Sequence, residues 1–191
     1  DKQTEIEKAN RTVEKVKIIY EKFHNSEEIA SWYAGALSKL TDKQTEIEEV
    51  NRTVEKVKII YEKFHNSERI ASWYAGALSN SADKQTEIGE VNRTVEKVKI
   101  IYEKFHNSEE IASWYAGALS KLTDKQTEIE EVNRTVEKVK IIYEKFHNSE
   151  RIASWYAGAL SNSADKQTEI GEVNRTVEKV KIIYEKFHNS E

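Results

Sequence analysis

The chain has 191 residues, 38% of them hydrophobic and 34% charged, with no Pro, Met or Cys. Its 30 basic and 34 acidic residues leave a net charge of −4 and alternate closely, so no field of one sign is present to attract nucleic acid or an anionic membrane surface. The absence of cysteine excludes disulfides, thiolate metal sites and cysteine nucleophiles while leaving the compartment undetermined. The longest uncharged stretches, 70–82 and 152–164, are about two thirds of what a membrane-spanning helix requires, and 29–38 is about half, so no membrane insertion is expected.

The sequence of 1–41 recurs almost letter for letter at 42–82, 83–123 and 124–164, and 165–191 repeats its first part. A period of about 20–50 residues marks an array in which each unit depends on its neighbours for burial. One continuous array over 1–191 is therefore expected, with no separate domains. The sequence opens at Asp1 without Met and stops within a repeat, as would a segment of a longer array; a mature N terminus after processing would look the same.

Within the first copy, Ile6, Ala9, Val13, Val16, Tyr20 and Phe23 are spaced alternately by three and four, which predicts a helix over 1–24 with a heptad stripe. Thr41 with Gln44 fits a capping box for the equivalent helix of the second copy. Rows of Glu7, Glu14, Glu21 and Lys8, Lys15, Lys22 read as solvated faces, and surface ion pairs of this kind contribute only about 0–1 kcal/mol each. Ile18 and Ile19 widen the apolar surface near the end of the helix, which predicts contact with more than one neighbour.

Asn25 and Ser26 are helix-capping types, so the chain is expected to break there and restart. Ile29, Trp32, Tyr33, Ala36, Leu37 and Leu40 then form one helical face. The opposite side carries only Ala30, Ser31, Ala34, Gly35 and Ser38, which predicts an interior helix approached closely by another. Gly35 costs about 1 kcal/mol of helix propensity against Ala, and close packing is its expected offset. Each repeat thus reads as a hairpin of a long helix of about 24 residues and a short apolar one of about 14, roughly 36 and 21 Å long. The fold class expected is all-α: antiparallel helical hairpins stacked as an α-solenoid or bundle-like array. Every short helix is flanked in sequence by long ones.

A second period of 82 residues overlies the first. Glu28 and Glu110 alternate with Arg69 and Arg151, Lys39 and Lys121 with Asn80 and Asn162, and Leu40 and Leu122 with Ser81 and Ser163. Gly89 and Gly171 stand where Glu48 and Glu130 do. If equivalent positions adjoin, Glu28 should meet Arg69 and select the register of stacking. The Leu40 joint should pack and the Ser81 joint should be looser, so that 79–84 would exchange its amide hydrogens faster than 38–43.

No catalytic, cofactor-binding or metal site is expected. Glu21 and His24 have the Glu-x-x-His spacing of di-iron bundles, but those sites need further inward carboxylates, and a His in the last turn more simply meets free carbonyls. Trp32 and Tyr33 lie at core spacing and lack the basic groove of a base-stacking platform. Ser26 and Thr41 read as caps, and Asn10-Arg11-Thr12 as a sequon that would matter only in a secreted, glycosylated chain. The period is near that of HEAT and armadillo repeats and above that of tetratricopeptide repeats. However, Trp32-Tyr33-Ala34-Gly35 departs from the tetratricopeptide pattern, so the resemblance is architectural alone. The expected role is non-enzymatic: a spacer, filament or surface-stalk segment partnered by itself, or else a multivalent scaffold for another protein, natural or engineered.

Overall fold

The computed structural model describes residues 2–188, with side chains through 187. Among the described residues there are nine helices and no strands. They are α1 (Lys2–Lys22), α2 (Glu27–Lys43), α3 (Ile47–Lys63), α4 (Glu68–Lys84), α5 (Ile88–Lys104), α6 (Glu109–Lys125), α7 (Ile129–Lys145), α8 (Glu150–Lys166) and α9 (Ile170–His188). The chain is a tandem helical repeat array. The even-numbered helices stack side by side in the order α2, α4, α6, α8, and each internal odd-numbered helix packs on the two even ones that flank it in sequence. Among the described residues the odd helices do not pack backbone to backbone on one another; a lysine alone bridges them where Lys145 of α7 lies over the Tyr102 ring of α5 and Lys186 of α9 over the Tyr143 ring of α7. The result is a continuous inner layer of apolar helices and an outer layer of separate amphipathic ones.

The division of each repeat differs from the sequence expectation of a long and a short helix. Internal helices of both kinds have 17 residues. Residues 41–43 end α2 instead of beginning α3, because Thr41 is buried and its Oγ1 donates to the Ser38 carbonyl at 2.6 Å within the last turn. Thr41 is therefore no capping-box residue, and Glu46, which precedes α3, makes no side-chain cap bond. Ser26, Ser67 and Ser108 do cap their helices, accepting from the amide of Ile29, Ile70 and Ile111 at 3.4–3.5 Å.

The heptad stripe becomes the core between layers. Val50, Val57, Val91, Val98, Val132 and Val139 are fully buried, since each outer helix lies in the groove between two inner ones. Of the isoleucine pair, Ile60, Ile101 and Ile142 are buried, but Ile59, Ile100 and Ile141 are about 60% exposed. Only the second isoleucine thus reaches a neighbour, because one helix face cannot be covered where outer helices stand apart.

The Ser81 joint is not loose. Ser79, Asn80, Ser81 and Ala82 are all buried. Ser81 Oγ donates to Asn51 Oδ1 at 3.2 Å, and Gln85 Nε2 donates to Ser81 Oγ at 3.1 Å and to Thr94 Oγ1 at 3.0 Å. At the leucine joints Gln44 Oε1 and Gln126 Oε1 are buried without a partner. The serine variant therefore exchanges apolar packing for a closed polar network joining three helices.

Tyrosines link the layers within each repeat: Tyr20–Tyr33, Tyr61–Tyr74, Tyr102–Tyr115 and Tyr143–Tyr156 have ring centroids 5.1–5.3 Å apart. Burial, with nearby glutamates adding to it, raises the phenols of Tyr33 and Tyr74 to about 12 and raises Tyr115 further. A raised folded-state value means that the unfolded chain ionises first. Stability from these groups is thus complete below pH 10, the ordinary tyrosine value, and is lost as pH rises from about 10 through about 12. Denaturant midpoints should be flat from neutrality to pH 10 and fall steeply above it. Replacing Tyr33, Tyr74 and Tyr115 by Phe should flatten that fall.

Candidate functional site

The inner layer is held by one contact repeated at each step. Trp73 of α4 lies on Gly35 of α2, Trp114 on Gly76, and Trp155 on Gly117. A Cβ added to these glycines would stand 2.9, 3.0 and 3.0 Å from the indole Cε2 of the facing tryptophan, closer than carbon atoms approach. The glycine is a hole and the tryptophan its knob, as the apolar-backed helix with its mid-helix glycine led us to expect. A half-buried indole removes about 100 Å² from water, worth about 2–3 kcal/mol, which outweighs about 1 kcal/mol of lost helix propensity.

The tryptophans are not interior, as their spacing had implied. Trp32, with no inner helix before it among the described residues, is 56% exposed, and Trp73, Trp114 and Trp155 are partly exposed. The last three line a surface groove of about 520 Å³ that runs along the inner layer with Ser38, Lys39, Asp42, Asn80 and Lys121. Their indole Nε1 atoms are buried without a hydrogen-bond partner. Tyr33, by contrast, is buried as expected.

Cations close over these rings in alternate steps. Between α2 and α4, the Arg69 guanidinium stands 4.6 Å from the Trp32 ring and Lys39 Nζ 5.8 Å from the Trp73 ring. Between α6 and α8, Arg151 covers Trp114 at 4.0 Å and Lys121 covers Trp155 at 5.7 Å. The α4–α6 step has neither. The same two steps carry Asn80 Nδ2 donating to Thr41 Oγ1 at 3.1 Å and Asn162 Nδ2 to Thr123 Oγ1 at 3.0 Å. Lys84 and Lys166 Nζ there reach the Thr41 and Thr123 carbonyls at 2.7 and 2.9 Å. At α4–α6, Lys121 Nζ instead reaches the Ser79 carbonyl at 3.3 Å and Asp83 at 3.7 Å. The 82-residue period is thus a pair of repeats bound by cations over indoles, followed by a different seam.

The expected meeting of Glu28 with Arg69 does not occur: no ion pair joins them among the described residues. Arginine seeks the indole face, where its flat, weakly hydrated guanidinium stacks. Burial lowers the Arg151 pKa while Glu110 partly restores it, so the carboxylate acts at a distance. Burial likewise depresses the Lys84 and Lys121 ammonium groups, opposed chiefly by Asp42 and Asp83 respectively.

Lysines read as part of a solvated row form a second ladder. Lys63 Nζ donates to the His24 carbonyl at 2.6 Å and to Asn25 Oδ1 at 3.0 Å. Lys104 and Lys145 donate to the His65 and His106 carbonyls, both at 2.5 Å, and Lys186 to that of His147. Each ties an outer helix to the preceding repeat. Helix-end carbonyls accept from a lysine of the next copy, and not from the histidine side chain as expected. That lysine stands 39 residues from its acceptor, a separation without any signal in local spacing. Glu21 and His24 are both exposed, and no group of three or more His, Asp or Glu side chains suited to a metal ion comes together among the described residues. The sequon residues lie within outer helices, where Asn51 and Asn133 accept from Ser81 and Ser163.

No family model matches this chain, and neither a curated protein nor a solved structure is significantly similar to it. No helix among the described residues is long and apolar enough to cross a membrane.

Two substitutions separate these contacts. Gly76→Val should destabilise the array by about 1–3 kcal/mol through overpacking against Trp114, measured by chemical denaturation. Arg69→Gln should cost about 0.5–1 kcal/mol, whereas Glu28→Gln should lie within about 0.5 kcal/mol of the parent. Equal losses from the last two would restore the ion-pair account.

Proposed function

We propose that the protein is a non-enzymatic structural repeat whose working form is a self-associating filament. The observation that carries this is the recurrence of one interface, Trp on Gly, at three successive steps of the inner layer. Among the three structural roles considered, reach per residue favours the filament. Helices stacked side by side advance about 8–10 Å per repeat, whereas the residues of one repeat in a single helix would reach about 60 Å. An array of this kind is an inefficient spacer or stalk. It is well suited to a regular lattice that extends by adding like units.

A second reading, a multivalent scaffold for another protein, is favoured by the partly exposed tryptophans in the inner-layer groove. Repeated weak sites of that sort would gain strength through effective concentration. Solution scattering on monomeric chains of two, four and five repeats tests the common premise: the longest dimension should grow by about 8–10 Å per repeat. Growth of a compact sphere would reject both roles. A partner whose affinity rises stepwise with repeat number would place the scaffold ahead of the filament.

A further inference from the structure

We infer that the array moves as blocks of four helices, 27–104 and 109–186, and flexes at the α4–α6 seam between them. The two blocks have the same sequence, letter for letter. In the first, α4 is bound to each of the other three helices. It is held to α2 by Arg69 over Trp32 and Lys39 over Trp73. Asn80 Nδ2 adds bonds to Thr41 Oγ1 at 3.1 Å and to the Ser38 carbonyl at 3.4 Å, and Lys84 donates to the Thr41 carbonyl at 2.7 Å. Ser81 ties α4 to α3 through Asn51, and Gln85 ties it to α5 through Thr94. The second block repeats the set. Arg151 and Lys121 cover Trp114 and Trp155, Asn162 and Lys166 reach Thr123, Ser163 donates to Asn133, and Thr176 Oγ1 donates to Gln167 Oε1 at 3.4 Å.

Across the α4–α6 seam the residues that would make these ties are exchanged. Glu110 stands where Arg69 and Arg151 do, and a carboxylate is repelled by the negative face of an indole. Ala82 stands where Thr41 and Thr123 accept a bond. What crosses the seam is Trp114 in the Gly76 hole, the Tyr102–Tyr115 stack and apolar packing. Lys121 adds long contacts to the Ser79 carbonyl at 3.3 Å and to Asp83 at 3.7 Å. The ladder from outer-helix lysines to loop carbonyls is the same at each step and favours no seam.

Apolar contact is non-directional, so an indole can turn against its glycine, whereas a hydrogen bond weakens steeply with angle and fixes orientation. Helices joined by several such bonds therefore move together, and the seam with the fewest turns first. The moving unit is out of phase with the sequence copy. It is cut inside a copy, at 105–108 between an outer helix and an inner one, and not at the Ser81 joint.

Two measurements on the full chain test this. Loops 64–67, 105–108 and 146–149 share the sequence Phe-His-Asn-Ser, so chymotrypsin meets the same site in each. Under limiting protease, cleavage after Phe105 should precede cleavage after Phe64 and Phe146. Because the chain has no cysteine, spin labels can also be placed at Glu62, Glu103 and Glu144, exposed and equivalent positions on α3, α5 and α7. The pair Glu62→Cys with Glu103→Cys reports within a block, and Glu103→Cys with Glu144→Cys reports across the seam. Pulsed electron resonance should give a sharp distance distribution for the first pair and a broad one for the second. Glu110→Arg, which supplies the guanidinium this seam lacks, should narrow the second distribution toward the first and slow the cut after Phe105. Equal cleavage of the three loops, equal widths or their reverse order, or a seam that Glu110→Arg leaves unchanged would each overturn the inference.

Discussion

Successive inner helices approach closely because one residue in each repeat has no side chain. Gly35, Gly76 and Gly117 admit the indole of the next copy to within contact of the helix backbone, and the spacing set there determines how wide a groove the outer helix finds. A helix that rests in that groove buries two flanks at once, which is why Val50, Val91 and Val132 are completely enclosed although each comes from a helix rich in charge. Cations over the rings, the asparagine bonds and the lysine ladder are later refinements of a stack already placed by knob and hole. The cations and asparagine bonds distinguish one seam from the next, whereas the lysine ladder is the same at each step.

The tryptophan also sets the electrostatics of the inner face. A ring whose edge is sunk into the next helix leaves a negative face outward, and a long cationic side chain can lie over it while its charge stays near water. Such contacts join rows that would otherwise present isolated charges. The alternation between Arg69 with Lys39 and the Lys121 seam shows how two duplicated blocks acquire polarity from few substitutions.

Much of the architecture was legible because periodicity is a local signal. The stripe from Ala9 to Tyr20, the break at Ser26 and the apolar run from Ile29 to Leu40 each report a helix face, and Gly35 within an otherwise apolar helix reported a close neighbour. Boundaries were less legible. Asp42 and Lys43 look like the start of an outer helix, yet a buried Thr41 bonded to Ser38 carries the inner helix past them. Burial also reversed the reading of Ser81, which in isolation suggests a weak joint and in place completes a network with Asn51 and Gln85. The partners of Arg69 and Lys63 could not be read from spacing at all, because they depend on which repeats adjoin and at what angle.

The separation of the outer helices has a mechanical meaning. Under flexure an array of two layers strains most where its material is continuous, and here only the inner layer is continuous. Bending that opens the outer side separates no outer helices whose backbones are packed together among the described residues; it stretches the reach of lysines such as Lys63 and Lys104 to loop carbonyls, and of Lys145 to the Tyr102 ring. Bending the other way compresses indoles against glycines at van der Waals contact. The array should therefore be compliant in one direction and stiff in the opposite one, a property of a hinge with a stop and not of a uniform rod.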